Sequence, residues 1–172
     1  MIWGLSLADQ VRTGFRRCIL VYKLSLLIYT QKKTGDRAMA GGMRIRHTMI
    51  RVRDLEQSVE FYTNLLGMTE MRRRESAERG ETVSYVGYGD DEDSTHALEI
   101  VQEHDQPEEL VHGNTYGHVA LGVPDVQVLA DSLLEAGVKF TTLPQLVRQG
   151  SPNRLAFCLD PDGYEIELTE RR

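Results

Sequence analysis

The chain has 172 residues, 41% of them hydrophobic and 27% charged, enough apolar content for one ordinary domain or two very small ones around a core. Its net charge of −6 is unevenly spread: seven basic against two acidic residues in 1–42 leave −11 on the remainder, which lacks the concentrated basic face that nucleic acid requires. Two cysteines, Cys18 and Cys158, exclude a disulfide framework and a thiolate metal cluster and point to a reducing, cytoplasmic setting.

Residues 1–42 form a basic extension, expected to lie outside the core, with Gly41 and Gly42 as a flexible junction before Met43. Its composition resembles an organelle-targeting leader without a convincing small-residue cleavage signal, and Met39 or Met43 would begin a self-contained domain. The longest apolar run, Cys18 to Tyr29, spans 12 residues and is interrupted by Lys23, too short to cross a bilayer, so no membrane association is expected.

Residues 43–172 contain one unit twice. His47-Thr48-Met49-Ile50-Arg51-Val52-Arg53-Asp54-Leu55 and His118-Val119-Ala120-Leu121-Gly122-Val123-Pro124-Asp125-Val126 share the pattern H-x4-V-x-D-apolar. After each Asp an amphipathic run follows, with Leu55, Val59, Phe61, Tyr62, Leu65 and Leu66 in one copy and Val126, Val128, Leu129, Leu133 and Leu134 in the other. Both read as helices of about three turns, capped by Asp and stopped by Gly67 or Gly137.

Three β-type segments follow each helix: Met68–Glu75, Thr82–Tyr88 and Ala97–Gln102, then Val138–Leu143, Arg154–Leu159 and Tyr164–Thr169. Turn chemistry separates them, notably in Asp160-Pro161-Asp162-Gly163. The expectation is an α+β fold of two tandem βαβββ modules, 43–112 and 113–172, whose curved mixed sheets enclose a ligand cleft.

Each module ends in a strand with an acid between aliphatics, Leu98-Glu99-Ile100 and Ile166-Glu167-Leu168. Alternation turns the acids away from the aliphatics, so if these face the helices the acids face the cleft. The same parity sets His47 with Met49 and Arg51 against Thr48, Ile50 and Val52. His47 precedes Glu99 by 52 residues and His118 precedes Glu167 by 49, so a His/Glu pair was duplicated with the fold.

Two carboxylates in an apolar cleft call for a cation. Two imidazoles with two carboxylates suit Zn2+, Ni2+, Co2+ or Fe2+, with positions left open for water or substrate oxygens. A lone strand-end His or a lone half-buried Glu is ordinarily structural, but four in matching positions of two repeats are poorly explained one by one. His96, His104 and His112 lack this placement and are expected at the surface.

His47-Thr48-Met49-Ile50-Arg51-Val52, Asp54-Leu55 with Phe61-Tyr62 and Leu66-Gly67-Met68, Tyr116-Gly117-His118-Val119-Ala120, and Asp160-Pro161-Asp162-Gly163-Tyr164 with Ile166-Glu167-Leu168 together resemble the glyoxalase I family of the vicinal oxygen chelate superfamily. The likeness covers about residues 43–172. It implies His47, Glu99, His118 and Glu167 as metal ligands, sites shared across a homodimer interface, and a bacterial preference for Ni2+, or Co2+, over Zn2+. The implied reaction isomerises the hemithioacetal of methylglyoxal and glutathione to S-lactoylglutathione through an enediolate. Glu167 would be the chief proton shuttle, with Glu99 on the opposite substrate face.

In the family, the position of Arg51 binds the glutamyl carboxylate of glutathione, and Arg148 matches a basic position at the glycyl end. The chain departs from the family after Glu99, where Thr-Tyr-Asn is usual and Ile100-Val101-Gln102-Glu103 stands here. Glu103 shares a strand face with Glu99 and brings a negative charge towards Arg51, either to pair with it or to receive an ammonium group. Competing readings are an extradiol-type dioxygenase or an antibiotic thiol transferase, which use two His and one Glu, and a metal-free drug-sequestering module, which needs neither pair.

Overall fold

Two aspartates start the two helices in the same way. In the computed structural model, which describes residues 44–170, Asp54 and Asp125 have extended backbone and accept hydrogen bonds from the amides of Gln57 (3.0 Å) and Val128 (3.1 Å). Each satisfies a donor that a first helical turn leaves open. Helix α1 covers Leu55–Glu60 and α2 covers Val126–Glu135. Gly137, at φ 82°, closes α2; the amides of Val138 and Gly137 return to the carbonyls of Leu133 and Leu134, the paired bonds of a Schellman ending. The basic extension, 1–42, lies outside the described residues.

The first helix departs from the regular three turns expected. After Glu60 it continues as a π-helical segment, Phe61–Leu65. The Thr63 hydroxyl donates to the Val59 carbonyl at 2.8 Å, so a side chain competes for an acceptor of the helical ladder where the turn widens. The closing bond is wide as well, from the Met68 amide to the Tyr62 carbonyl. Phe61 and Tyr62, within this segment, are both buried.

The strands are β1 (His47–Arg51), β2 (Thr69–Ser76), β3 (Glu81–Gly87) and β4 (Ala97–Glu103), then β5 (His118–Gly122), β6 (Phe140–Leu146), β7 (Arg154–Leu159) and β8 (Glu165–Thr169). They form two four-stranded sheets, ordered β1-β4-β3-β2 and β5-β8-β7-β6. In each, the first strand pairs parallel with the last and the other pairings are antiparallel, so both sheets are mixed. This is the α+β architecture of two βαβββ modules.

Alternation sorts the sheet faces. Leu98 and Ile100, like Ile166 and Leu168, turn towards the helices and join Ile50, Leu55, Phe61, Tyr62, Val126 and Leu133 in one apolar cluster that draws on both modules. On the other face of the first sheet lies a smaller cluster of Val83, Tyr85, Ala97 and Val101 with Met71 beside it. Among the described residues no helix is long and apolar enough to cross a membrane.

Polar contacts also tie the modules together. The buried Tyr62 hydroxyl donates to Asp160 Oδ2 at 2.9 Å, and the Asp162 carboxylate accepts from both the amide and Nε of Arg53. Burial pushes the Asp160 carboxyl above the usual carboxylate range, while the donors on it, the Tyr164 amide and the Tyr62 hydroxyl first, pull the other way. His96 and His104 are exposed, as expected. His112 is not: it is half-buried, its ring meets that of Tyr164 edge-on at 4.2 Å, and its Nε2 lies 3.0 Å from the Asp162 carbonyl oxygen.

Tyr62→Phe keeps the ring and removes the donor to a buried carboxylate. Chemical denaturation is expected to show a loss of about 1–3 kcal/mol; an unchanged midpoint and slope would mean that this bond contributes nothing to holding the modules together.

Candidate metal centre

The parallel pairing places each histidine relative to its glutamate in the same way. Met49 lies opposite Glu99 and Ala120 opposite Glu167, so His47 and His118 each stand two residues upstream of the position facing the acid. Two residues along a strand restores the same face. His47 Nε2 is 3.2 Å from Glu99 Oε2, and His118 Nε2 is 3.0 Å from Glu167 Oε2.

These separations suit a shared cation. Two ligand atoms bonded to one ion at about 2.1 Å lie about 3.0 Å apart at a right angle and about 3.4 Å apart at a tetrahedral angle. The His118–Glu167 pair matches the edge of an octahedral site, and the His47–Glu99 pair falls midway between the octahedral and the tetrahedral edge. The imidazole and carboxylate donors are also the set that borderline divalent ions accept. The pairs themselves stay apart: among the described residues no three His, Cys, Asp or Glu side chains converge. Each chain therefore presents two separate His/Glu pairs on two sheet faces.

An aromatic side chain supports each edge. Tyr85, opposite Glu99 on β3, sets its ring edge-on to His47 at 5.6 Å, and its hydroxyl donates to Glu99 Oε1 at 2.5 Å. Arg72 lies over the Tyr85 ring, 4.4 Å from its centroid. Burial and the Glu99 contact raise the Tyr85 hydroxyl above its ordinary value, so it remains a donor at neutral pH. In the second module Phe157 lies opposite Glu167 and meets His118 edge-on at 5.2 Å.

Sequence reasoning missed Tyr85. It precedes Glu99 by 14 residues, whereas Phe157 precedes Glu167 by only 10, because the β3–β4 connection is longer. Aligning the repeats on their acids and counting back through each hairpin by strand face, rather than by residue number, would have matched the two.

Arg51 and Glu103 do pair. Arg51 Nε donates to Glu103 Oε1 at 2.7 Å, and that bond raises the already high guanidinium pKa. Because Nε carries the bond, the terminal NH2 groups keep the fork that grips a carboxylate. Arg148 is exposed on the β6–β7 loop, in the other module from Arg51 and Glu103. A cavity of about 630 Å³ lies between Gln57, Phe61 and Leu65 on one side and Val138, Leu159 and Pro161 on the other; no His or Glu of either pair lines it.

Residues 44–168 match the family described as Glyoxalase/Bleomycin resistance protein/Dioxygenase superfamily. A probable lactoylglutathione lyase from Vibrio cholerae is 40% identical over 129 residues, covering 75% of this chain and 91% of that protein. The trypanothione-dependent glyoxalase I of Leishmania major superposes with a TM-score of 0.65 at 36% identity, covering 75% of this chain and 87% of that one. Glyoxalase I from Zea mays gives a TM-score of 0.69 at 34% identity over 74% of this chain, which spans only 44% of the maize chain's length.

Cys158 follows Phe157 and takes the opposite face, into the core, where burial and then the charge of Asp160 push its thiol up to about 11. Only about a thousandth of such a thiol is ionised at pH 8. In a Cys18→Ser background, an aromatic disulfide reagent at pH 8 is expected to leave the native protein unlabelled and to label it promptly in denaturant. Prompt labelling of the native protein would place Cys158 within reach of solvent and of the second pair.

Proposed function

The chain belongs to the Glyoxalase/Bleomycin resistance protein/Dioxygenase superfamily, and from that premise we propose that it is a metal-dependent lactoylglutathione lyase, converting the hemithioacetal of methylglyoxal and glutathione to S-lactoylglutathione. The observation that carries this reading is the repeated edge: a His and a Glu facing each other at 3.2 Å and again at 3.0 Å, in the same register of two modules. Relatives along nearly their whole length bear the same activity in their names.

The full ligand set is His47, Glu99, His118 and Glu167. Because the two edges of one chain do not converge, we propose that a homodimer closes two centres, each uniting the first-module pair of one chain with the second-module pair of its partner. The sheet faces bearing the pairs support this, since His47, Met49, Arg51 and His118 are all exposed in the single chain. Ni2+ is the proposed occupant, with Co2+ and Zn2+ as alternatives. A bound divalent ion supplies Lewis-acid stabilisation of negative charge on the two substrate oxygens.

What the residues must do follows from the reaction. A proton leaves the carbon next to a carbonyl and returns to the neighbouring carbon. Glu167 is the proposed base, taking the proton as a carboxylate and returning it as the acid, so no net proton is consumed. Glu99 faces the substrate from the other side. The free fork of Arg51 holds the carboxylate at the glutamyl end of the thiol, and Glu103, already against Arg51, takes the neighbouring ammonium group. Arg148, from the second module, holds the glycyl carboxylate. The carboxylate and ammonium of one amino-acid head thereby meet a pair of opposite sign.

Thioester formation from methylglyoxal plus glutathione, followed at 240 nm, tests the reaction. Chelated apoprotein should be inactive and regain activity with Ni2+ or Co2+ more than with Zn2+; metal-loaded protein that gives no thioester rules the lyase out. Glu167→Gln is expected to lower kcat by a factor on the order of 10²–10⁴ while metal-loaded protein remains folded. Glu103→Asn should raise the Michaelis constant for the hemithioacetal several-fold with kcat little changed, and an unchanged constant would remove Glu103 from the thiol site.

A further inference from the structure

The two metal-facing edges are built on the same plan but are not equivalent. Tyr85 and Phe157 occupy matching positions, each opposite the glutamate of its module and each edge-on to the histidine. They differ by one hydroxyl, and that hydroxyl is engaged. Glu99 has both oxygens held, Oε2 facing His47 Nε2 at 3.2 Å and Oε1 accepting from Tyr85 at 2.5 Å. Glu167 has Oε2 facing His118 Nε2 at 3.0 Å, and among the described residues no side chain donates to its Oε1.

A carboxylate held at both oxygens cannot rotate about its terminal bond without breaking a hydrogen bond to an ionised acceptor, one of the stronger bonds available to a side chain. A carboxylate held at one oxygen can. Tyr85 itself is well fixed, since its ring lies between His47 and the guanidinium of Arg72, and Arg72 is anchored in turn by Glu92 at 2.7 Å. A donor that orients a ligand in this way tunes affinity and geometry without touching the ion.

We propose that Tyr85 is a positioning residue that clamps Glu99 as a stationary ligand, and that Phe157, by lacking the hydroxyl, leaves Glu167 free to swing and carry the proton. The inference rests on the lyase reading for the role of Glu167, while the clamp on Glu99 concerns the ligand alone. One hydroxyl thus divides the labour between two glutamates that the repeat placed alike.

Two reciprocal variants test it on the full chain. Tyr85→Phe removes the hydroxyl and keeps the ring against His47 and Arg72; the dissociation constant for Co2+, measured by competition with a chelator, should weaken about 10-fold with the melting temperature unchanged. Phe157→Tyr puts a hydroxyl opposite Glu167, where it should lower kcat about 10-fold while leaving the Michaelis constant, the melting temperature and Co2+ affinity no worse than in the parent. Unchanged Co2+ affinity in Tyr85→Phe overturns the clamp, and undiminished kcat in Phe157→Tyr overturns the division of roles. Should the parent protein bind Co2+ yet form no thioester, the lyase reading fails, and the Co2+ comparison still decides whether Tyr85 holds Glu99.

Discussion

An acid set between two aliphatics on a strand, with a helix packed on one side of the sheet, has a single face open to it. Leu98 and Ile100 enter the core beneath α1, and Ile166 and Leu168 enter it beneath α2, so Glu99 and Glu167 must turn to the other side. Parallel pairing with β1 and β5 then brings a histidine to each acid. The burial of four aliphatic side chains therefore orients the two acids, and a change that flipped the register of β4 or of β8 by one residue would send that strand's acid into the core.

The same geometry underlies the proposal that a single chain holds only half of each centre. A pair of ligands on one sheet face offers one edge of a coordination sphere, and the edges of the two modules do not converge among the described residues. The contacts between the modules, from Tyr62 to Asp160 and from Arg53 to Asp162, lie on the helix side and on the turn before β8, leaving the ligand faces open. What the fold supplies is two His/Glu pairs, and the proposed homodimer is the arrangement that would join them. Preorganisation by the sheet would spare these side chains much of the ordering cost of binding an ion.

Much of this was legible in the sequence because it is encoded locally. Period-two alternation placed Glu99 and Glu167, the two aspartates and two glycines bounded the helices, and the repeat gave the number and order of the strands. What stayed hidden depends on groups that meet across long sequence separations. Asp160 and Asp162 read as turn residues, yet their side chains receive Tyr62 and Arg53 from 98 and 109 residues away. His112 lies in a loop as expected, but not at the surface: the Tyr164 ring packs against it and leaves it half-buried. The π turn was invisible because the helical pattern tolerates one extra residue, and the threonine hydroxyl that bonds a carbonyl there makes one choice among several open to it. Tyr85 was hidden for a different reason: hairpins of unequal length put the matching residues out of step. The pairing of Arg51 with Glu103 was visible as one of two alternatives, and the structure shows the bond formed while the guanidinium fork remains available.

The central claim is that two halves from two chains make one working centre, and complementation measures it directly. One variant loses the first-module pair, His47→Ala with Glu99→Gln, and the other loses the second, His118→Ala with Glu167→Gln; each alone should form no thioester. Refolded together in equal amounts, half of the dimers should be mixed and each mixed dimer should hold one intact centre of two, restoring about a quarter of the parent activity. A mixture as inactive as its components, with mixed dimers shown to be present, would contradict the account and return the site to a single chain.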